Sequence, residues 1–221
     1  IQIKIFFQKK NLGIYGNCKF LNSKSRTSII KILCADDKLV KDSLLYTYNF
    51  MKKNNSCKIM ACGDINNKNR NSDNITRQEE FFSKLSNKTY LKLSPKSSVI
   101  AFIAFGNLCG NLSRVTYRKV KDGINPVFNE KFTYAGDFNA WVRFSNKYGI
   151  YLIKKKLVFV RNHPNRGTFF LNKNNDLFRQ VSEIYKFLSK KIDKKFYPLL
   201  KKHLLLNDLP QRIPTYFKFL I

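Results

Sequence analysis

Acidic residues are scarce in this sequence of 221 residues, which has 14 Asp and Glu against 42 Lys and Arg and a formal net charge of +28. Such an excess of cations is typical of proteins that bind phosphate-rich polymers. The lysines, however, are spread along the whole chain, and no helix-turn-helix, zinc-finger or ribonucleoprotein motif accompanies them. Nucleic-acid binding is therefore not expected, although part of the charge is available to hold an anionic ligand.

Patterns for disulfides and zinc sites are equally sparse. The chain has two histidines and an odd number of cysteines without any CxxC pair, namely Cys18, Cys34, Cys57, Cys62 and Cys109. These features predict reduced core cysteines in a cytoplasmic protein. The longest apolar run, residues 99–105, is too short to cross a bilayer. With 43% hydrophobic residues, the chain is long enough to bury the core of one domain.

Apolar periodicity predicts alternating strands and helices. Strands are predicted at residues 1–7, 28–34, 57–63 and 113–118, with two short strands within 150–163. Helices are predicted at residues 41–54, 77–85 and 137–149 and from about 174 onward, and the type of the buried segment 97–105 stays open. The alternation favours an α/β fold, in which the run 28–34 would be a strand buried on both faces of a parallel sheet.

Two adjacent carboxylates, Asp36 and Asp37, follow that apolar run. Their mutual repulsion is costly unless a cation lies nearby. Open α/β sheets bind ligands at the carboxyl ends of their strands, where this pair would lie. The pair therefore predicts a cation or ligand site, and a simple turn is the alternative.

Four segments together resemble the inverting family 2 glycosyltransferases of the GT-A fold. They are ILCADDKLVKDSL (32–44), GNLCGNLSRVTYRK (106–119), FNEKFTYAGDFNAWVRFSNKYG (128–149) and LVFVRNHPNRGT (157–168). Their order matches the family's acidic pair, glycine-containing loop and strand, base-bearing helix and Arg-x-His segment. The resemblance extends over residues 11–168 and implies a GT-A mixed sheet flanked by helices.

The resemblance implies a nucleotide-sugar donor held by a divalent metal, Mn²⁺ or Mg²⁺. Asp37 would bind the metal, His163 would supply a further metal ligand or contact the diphosphate, and Asp36 would bind the donor ribose or the water shell of the metal. Arg161 and Arg166 would clamp phosphate oxygens, because a planar guanidinium fits them bidentately. For His163, a surface histidine is the alternative.

By the same resemblance, Asp137 would be the general base that removes the proton of an acceptor hydroxyl. The N-terminus of its helix is expected to keep it ionised, and a plain N-cap is the alternative. Gly110 would offer its backbone to the sugar or acceptor, or would only allow a turn. Gly136 departs from the family pattern, which has Glu there. Trp141 and Arg143 are expected to brace the helix.

The implied activity is inverting, metal-assisted transfer of a sugar to a glycan or lipid-linked acceptor in cell-surface polysaccharide synthesis. Residues 1–172 would form the GT-A-like domain without the family's N-terminal nucleotide-binding strands, and residues 173–221 a basic helical extension. The helix of this extension would pack on its own domain or touch anionic lipid at the inner face of the membrane. A non-catalytic truncated relative, or a basic module that binds anionic polymers such as nucleic acid, is the alternative function.

Overall fold

The computed structural model describes residues 3–67, 76–85, 87–121, 125–161 and 176–193. The predicted metal ligand His163 and the predicted phosphate-binding residue Arg166 lie outside these ranges. Residues 194–221 of the predicted extension also lie outside them. The boundary predicted between residues 172 and 173 also lies outside them and stays a prediction.

Within the described ranges, six strands form one mixed sheet. They are β1 (Ile29–Lys31), β2 (Lys38–Leu39), β3 (Ile59–Asn67), β4 (Tyr90–Leu93), β5 (Val115–Arg118) and β6 (Ile150–Arg161). The order is β1-β5-β3-β6-β2, and β4 pairs with β6 beside this path. The central pair β3 and β6 is parallel, while the other pairs are antiparallel. The predicted mixed α/β architecture is confirmed.

Six α-helices accompany the sheet in the described part of the chain. They are α1 (Gly13–Lys24), α2 (Ser43–Lys53), α3 (Arg77–Leu85), α4 (Pro95–Phe105), α5 (Gly136–Tyr148) and α6 (Asp176–Ser189). The helices predicted at 41–54, 77–85 and 137–149 are therefore confirmed. Gly149 ends α5 with a φ of +72°, a conformation that favours glycine.

Side-chain alternation along the central strands divides the core into two clusters. Ile59 and Ala61 of β3 face the larger cluster, to which α4, α5 and α6 contribute. Met60 and Cys62 face the smaller cluster on the other side of the sheet, which is covered by Met51 of α2. Helices thus lie on both faces of the sheet.

The segment whose type the sequence left open is helix α4. The Ser94 hydroxyl accepts a hydrogen bond from the Ser97 N–H at 3.1 Å, Pro95 occupies the first turn, and Gly106 follows the last residue. Residues 98–105 are all buried. A helix that is apolar all round needs neighbours on every side, and α3, α5 and α6 supply them.

Two strand predictions at the start of the chain were wrong. Residues 3–8 form no strand, and Ile3, Ile5 and Phe7 are exposed because no neighbouring strand pairs with them. The run 28–34 contains only the three-residue strand β1, which pairs antiparallel with β5 at the edge of the sheet and is partly exposed. An apolar run alone does not reveal whether a second strand will cover its other edge.

A third correction concerns residues 150–163, where two short strands were predicted around a basic turn. One strand, β6, runs from Ile150 to Arg161, and its three lysines at 154–156 stay exposed. The sheet accommodates these lysines because the register of β6 against β3 shifts next to Gly63. A Cβ on Gly63 would lie 2.9 Å from the Lys154 carbonyl oxygen, so the absent side chain permits the irregularity.

Helix α6 packs on the same domain, as its apolar face predicted. Ile184 and Leu188 are buried in the larger cluster, and Val181 and Tyr185 pack partly against it. None of the described helices has the length and apolar character that crossing a membrane requires.

Candidate active site

The predicted acidic pair lies in a tight turn between β1 and β2. The Asp37 N–H donates to the Cys34 carbonyl oxygen at 3.1 Å, which closes the turn. The Asp37 carboxylate is buried, and it accepts hydrogen bonds from the Arg161 backbone N–H at 3.1 Å and from the Asn111 side-chain amide at 3.0 Å. Strand β2 pairs with the end of β6, and this pairing places Arg161 beside Asp37. Two neutral donors therefore orient the carboxylate without cancelling its charge.

The acidic turn has the donor set for a divalent cation. One ligand atom each from Cys34, Asp36 and Asp37 lies within 4.8 Å of the others. Burial raises the pKa of the Cys34 thiol, as do the charges of Asp37, Asp36 and Asp137, while a hydrogen bond with Ser113 lowers it. A neutral thiol is a poor ligand, whereas carboxylate oxygens suit Mg²⁺ or Mn²⁺. The residues present fit a hard cation held by the two aspartates.

Residues 106–113, here called the glycine loop, connect α4 to β5 and contact this turn. Besides the Asn111 amide, the Ser113 hydroxyl accepts a hydrogen bond from the Cys34 N–H at 2.8 Å. The Lys31 ammonium donates to the Ser113 carbonyl oxygen at 2.6 Å. The loop is thus held against the acidic turn by side chains from both segments.

Gly110 has a structural reason to be glycine. Its φ is +66°, and a Cβ at this position would overlap the guanidinium of Arg114. Any side chain would therefore displace the arginine. The predicted contact of the Gly110 backbone with a sugar or acceptor stays a prediction.

Asp137 lies in the first turn of α5, which begins at Gly136, so it is not the N-cap. Its Oδ1 accepts a hydrogen bond from the Phe138 N–H at 2.6 Å. Burial raises the pKa of Asp137 to about 6, although hydrogen bonds to the Phe138 N–H and the Tyr15 hydroxyl lower it. The N–H groups at the helix N-terminus favour the ionised carboxylate, as expected, but burial has the larger effect and raises the pKa above that of an ordinary aspartate. Asp137 is still mostly ionised at neutral pH.

Tyr15 of α1 is a residue of this site that sequence reasoning missed. A Cβ on Gly136 would lie 2.6 Å from the Tyr15 ring, so the ring occupies the space of a side chain at position 136. The Tyr15 hydroxyl donates to the Tyr134 carbonyl oxygen at 3.0 Å. Burial and the Asp137 charge both raise the pKa of this tyrosine. The absence of Glu at position 136 therefore has a packing cause.

Electrostatic contacts connect the acidic turn with the start of α5. The charges of Asp36, Asp37 and Asp137 all raise the pKa of Cys34. Burial also raises the pKa of Cys109 in the glycine loop, and the Asp137 charge raises it further. The fold thus brings Asp137 into the same region as Asp36 and Asp37, which precede it by about 100 positions in sequence.

A cleft of about 470 Å³ opens next to the acidic turn. It is lined by Asp36, Lys38, Phe159, Val160 and Arg161. The Arg161 side chain is exposed towards this cleft, while its backbone N–H holds Asp37. Sequence reasoning selected Arg161 for its side chain and missed the backbone contact, which no residue pattern encodes.

Trp141 and Arg143 brace the helix of Asp137, as expected. Trp141 is fully buried in the larger cluster. The Arg143 Nε donates to Asn139 Oδ1 at 2.9 Å, and its guanidinium lies 4.3 Å from the centre of the Phe187 ring in α6. These contacts hold α5 between the sheet and α6.

The sequence matches no protein-family profile and no curated protein. Solved structures of similar fold include those of TarS from S. aureus, a family 2 glycosyltransferase. TarS 1-349 in complex with UDP has 13% sequence identity and a TM-score of 0.55, and the match covers 97% of this chain and 57% of that chain.

Two further TarS structures match with 13% identity. For S. aureus TarS the TM-score is 0.53, with 90% of this chain and 32% of that chain covered. For TarS 1-349 it is 0.54, with 90% and 52% covered. The chain thus spans little more than half the length of the TarS 1-349 structures that it matches. At this identity the likeness shows the fold, a mixed sheet flanked by helices of the GT-A-like kind.

Proposed function

We propose that this chain is a glycosyltransferase of the family 2 type, which transfers a sugar from a nucleotide-diphosphate donor to an acceptor hydroxyl with inversion. One observation carries the proposal. A buried base candidate, Asp137, and a pair of aspartates suited to a cation, Asp36 and Asp37, flank the same thiol in a GT-A-like fold. The UDP in the TarS complex supports a uridine diphosphate sugar as the first donor to test.

Asp36 and Asp37 would hold a divalent cation. When bound, the cation supplies positive charge where the leaving diphosphate becomes more negative. The Arg161 backbone and the Asn111 amide orient Asp37 for this role. The Arg161 side chain, which lines the neighbouring cleft, would bind phosphate oxygens. His163 would be a further ligand of the cation, and Arg166 would bind phosphate oxygens together with Arg161.

Asp137 would accept the proton of the acceptor hydroxyl as that oxygen attacks the anomeric carbon. Attack from the face opposite the diphosphate inverts the configuration. A pKa of about 6 suits this work, because the carboxylate is ionised at neutral pH and is more basic than an ordinary aspartate. Burial supplies this basicity, and the Phe138 N–H positions the carboxylate.

The acceptor would be a glycan or a lipid-linked hydroxyl compound in cell-surface polysaccharide synthesis, and the site of action the cytoplasm. The exposed Lys186 of α6, the exposed Lys190 and Lys191 that follow this helix, and the basic residues of 194–221 would allow peripheral contact with anionic lipid. Residues 1–172 would carry the chemistry in a GT-A-like domain, followed by the basic extension 173–221.

A screen of nucleotide sugars with Mn²⁺ and Mg²⁺ tests the proposal by transfer, hydrolysis and thermal shift. We expect Asp137→Asn to abolish transfer while donor binding persists, since this residue would act only on the acceptor proton. Asp37→Ala should weaken metal-dependent donor binding. The control is Asp193→Asn, at an exposed aspartate that pairs with Lys96. Transfer by Asp137→Asn at the wild-type rate, or donor binding that ignores both metal and Asp37, would refute these roles.

A further inference from the structure

A buried ion pair lies beneath the glycine loop. Arg114 Nη1 is 3.3 Å from Asp64 Oδ1, and the two side chains are 5% and 6% exposed. The Arg114 Nε donates to the Cys62 carbonyl oxygen at 2.8 Å, and Nη2 donates to Gln78 Oε1. Each nitrogen of the guanidinium therefore has a partner in β3 or α3.

The network extends into the centre of the sheet. The Gln78 side-chain amide donates to the Ala61 carbonyl oxygen at 3.0 Å and to the Ile153 carbonyl oxygen at 3.4 Å. Gln78 thus connects Arg114 to the parallel pair β3 and β6. Replacing a buried ion pair with apolar residues often leaves the stability of a protein unchanged or increases it. A contribution to stability is therefore a weak explanation for the Arg114–Asp64 pair.

The arginine also supports the glycine loop from below. Its guanidinium lies against the Cα of Gly110, where a Cβ would overlap Nη1. The Arg114 backbone N–H donates to the Asn111 carbonyl oxygen at 3.2 Å. Gly110 is therefore contacted by a side chain that is itself fixed to the sheet, and Asn111 is hydrogen-bonded to the backbone of the same residue.

The opposite side of the loop contacts the acidic turn through the Asn111 amide on Asp37 Oδ2 and the Ser113 hydroxyl on the Cys34 N–H. We infer that Arg114 is a positioning residue. It anchors the glycine loop to β3, and the loop fixes the carboxylate of Asp37 through Asn111. This inference rests on the proposed function, in which Asp37 binds a cation.

The first test concerns the anchor and needs no metal. Cys109, in the loop, and Cys57, on the other side of the sheet, are both fully buried. In Arg114→Gln, iodoacetamide should label Cys109 at least about tenfold faster at an unchanged Cys57 rate, since loss of a buried charge partner shifts local opening by more than that factor. Gly110→Ala displaces the guanidinium while keeping its charge, and it should act in the same direction.

Arg118→Gln is the matched control. This arginine is the last residue of β5, the strand that follows Arg114, and it donates to the Met51 carbonyl oxygen of α2, away from the loop. It should leave the Cys109 labelling rate unchanged. Equal acceleration of Cys109 and Cys57 in Arg114→Gln would indicate general loosening, and no acceleration would indicate that the loop has no anchor there. Either result overturns the inference.

The second test measures the affinity for Mn²⁺ alone by calorimetry. We expect Arg114→Gln and Asn111→Ala to weaken Mn²⁺ binding about tenfold, the usual effect of losing a group that orients a ligand. Arg114→Lys, which keeps a charge beside Asp64, should be intermediate. Faster Cys109 labelling with unchanged Mn²⁺ affinity would show that the loop does not position Asp37. If the wild type binds no Mn²⁺, the proposed metal role fails and this step with it, while Cys109 labelling still decides the anchor.

Discussion

The raised pKa of Asp137 predicts a pH profile that an ordinary aspartate would not produce. Burial raises this pKa from 3.8 to about 6, and the hydrogen bonds from the Phe138 N–H and Tyr15 only partly oppose the shift. A general base acts only when it is ionised. Because its pKa is raised, Asp137 as the proposed base would lose its activity at a higher pH than an ordinary aspartate would.

The size of the effect follows from the ionised fraction. With a pKa of about 6, about 0.9 of Asp137 is ionised at pH 7 and about 0.1 at pH 5. An aspartate at the unperturbed value would still be about 0.9 ionised at pH 5. Turnover is therefore expected to fall about tenfold from pH 7 to pH 5 and to change little above pH 7.

The assay is the initial rate of sugar transfer between pH 4.5 and 8, at saturating donor, acceptor and Mn²⁺, so that the rate reports kcat. Saturation at each pH separates the loss of the base from changes in the binding of substrate or metal. Tyr15→Phe should shift the inflection to higher pH, because interaction with the hydroxyl lowers the pKa of Asp137. A rate that stays constant to pH 5, or an inflection near 4, would refute the assignment.

Three further predictions concern stability. Asp137→Asn should raise the free energy of unfolding at pH 7 by about 1–3 kcal/mol, since the raised pKa means that the ionised form destabilises the fold; chemical denaturation at pH 7 and pH 4 should show the gain shrinking as pH falls. Gly136→Ala should cost about 1–3 kcal/mol because its Cβ meets the Tyr15 ring at 2.6 Å. Trp141→Ala, at a fully buried side chain, should cost about 3–5 kcal/mol in the same assay. An unchanged midpoint in either of the last two variants would contradict the packing described.

The elements that the sequence predicted well carry their signals locally. Helix α5 has an apolar stripe and ends at Gly149, and residues 77–85 of α3 were predicted within their observed bounds. The residues Ser94 and Pro95 mark the start of α4, but its uniformly apolar character does not distinguish a helix from a buried strand. Local periodicity identifies a helix that has one polar face, but it does not identify a helix that is apolar on every face.

Strand pairing was beyond the reach of the sequence. Residues 3–8 alternate as a strand would, yet no neighbour pairs with them, and β1 lies at an edge although its sequence is that of a buried strand. Whether a strand forms depends on a partner that is distant along the chain, and pattern within the segment carries no information about that partner.

The sequence by itself located the acidic turn, the glycine loop and the helix of Asp137 and gave their order, because each carries a short local pattern of residue types. Only the tertiary structure decided which groups surround them. Tyr15 lies against Gly136, Asn111 holds Asp37, and Arg114 lies beneath the loop. The basicity of Asp137 was also decided there, because desolvation depends on everything packed around a carboxylate and not on its neighbours in the chain.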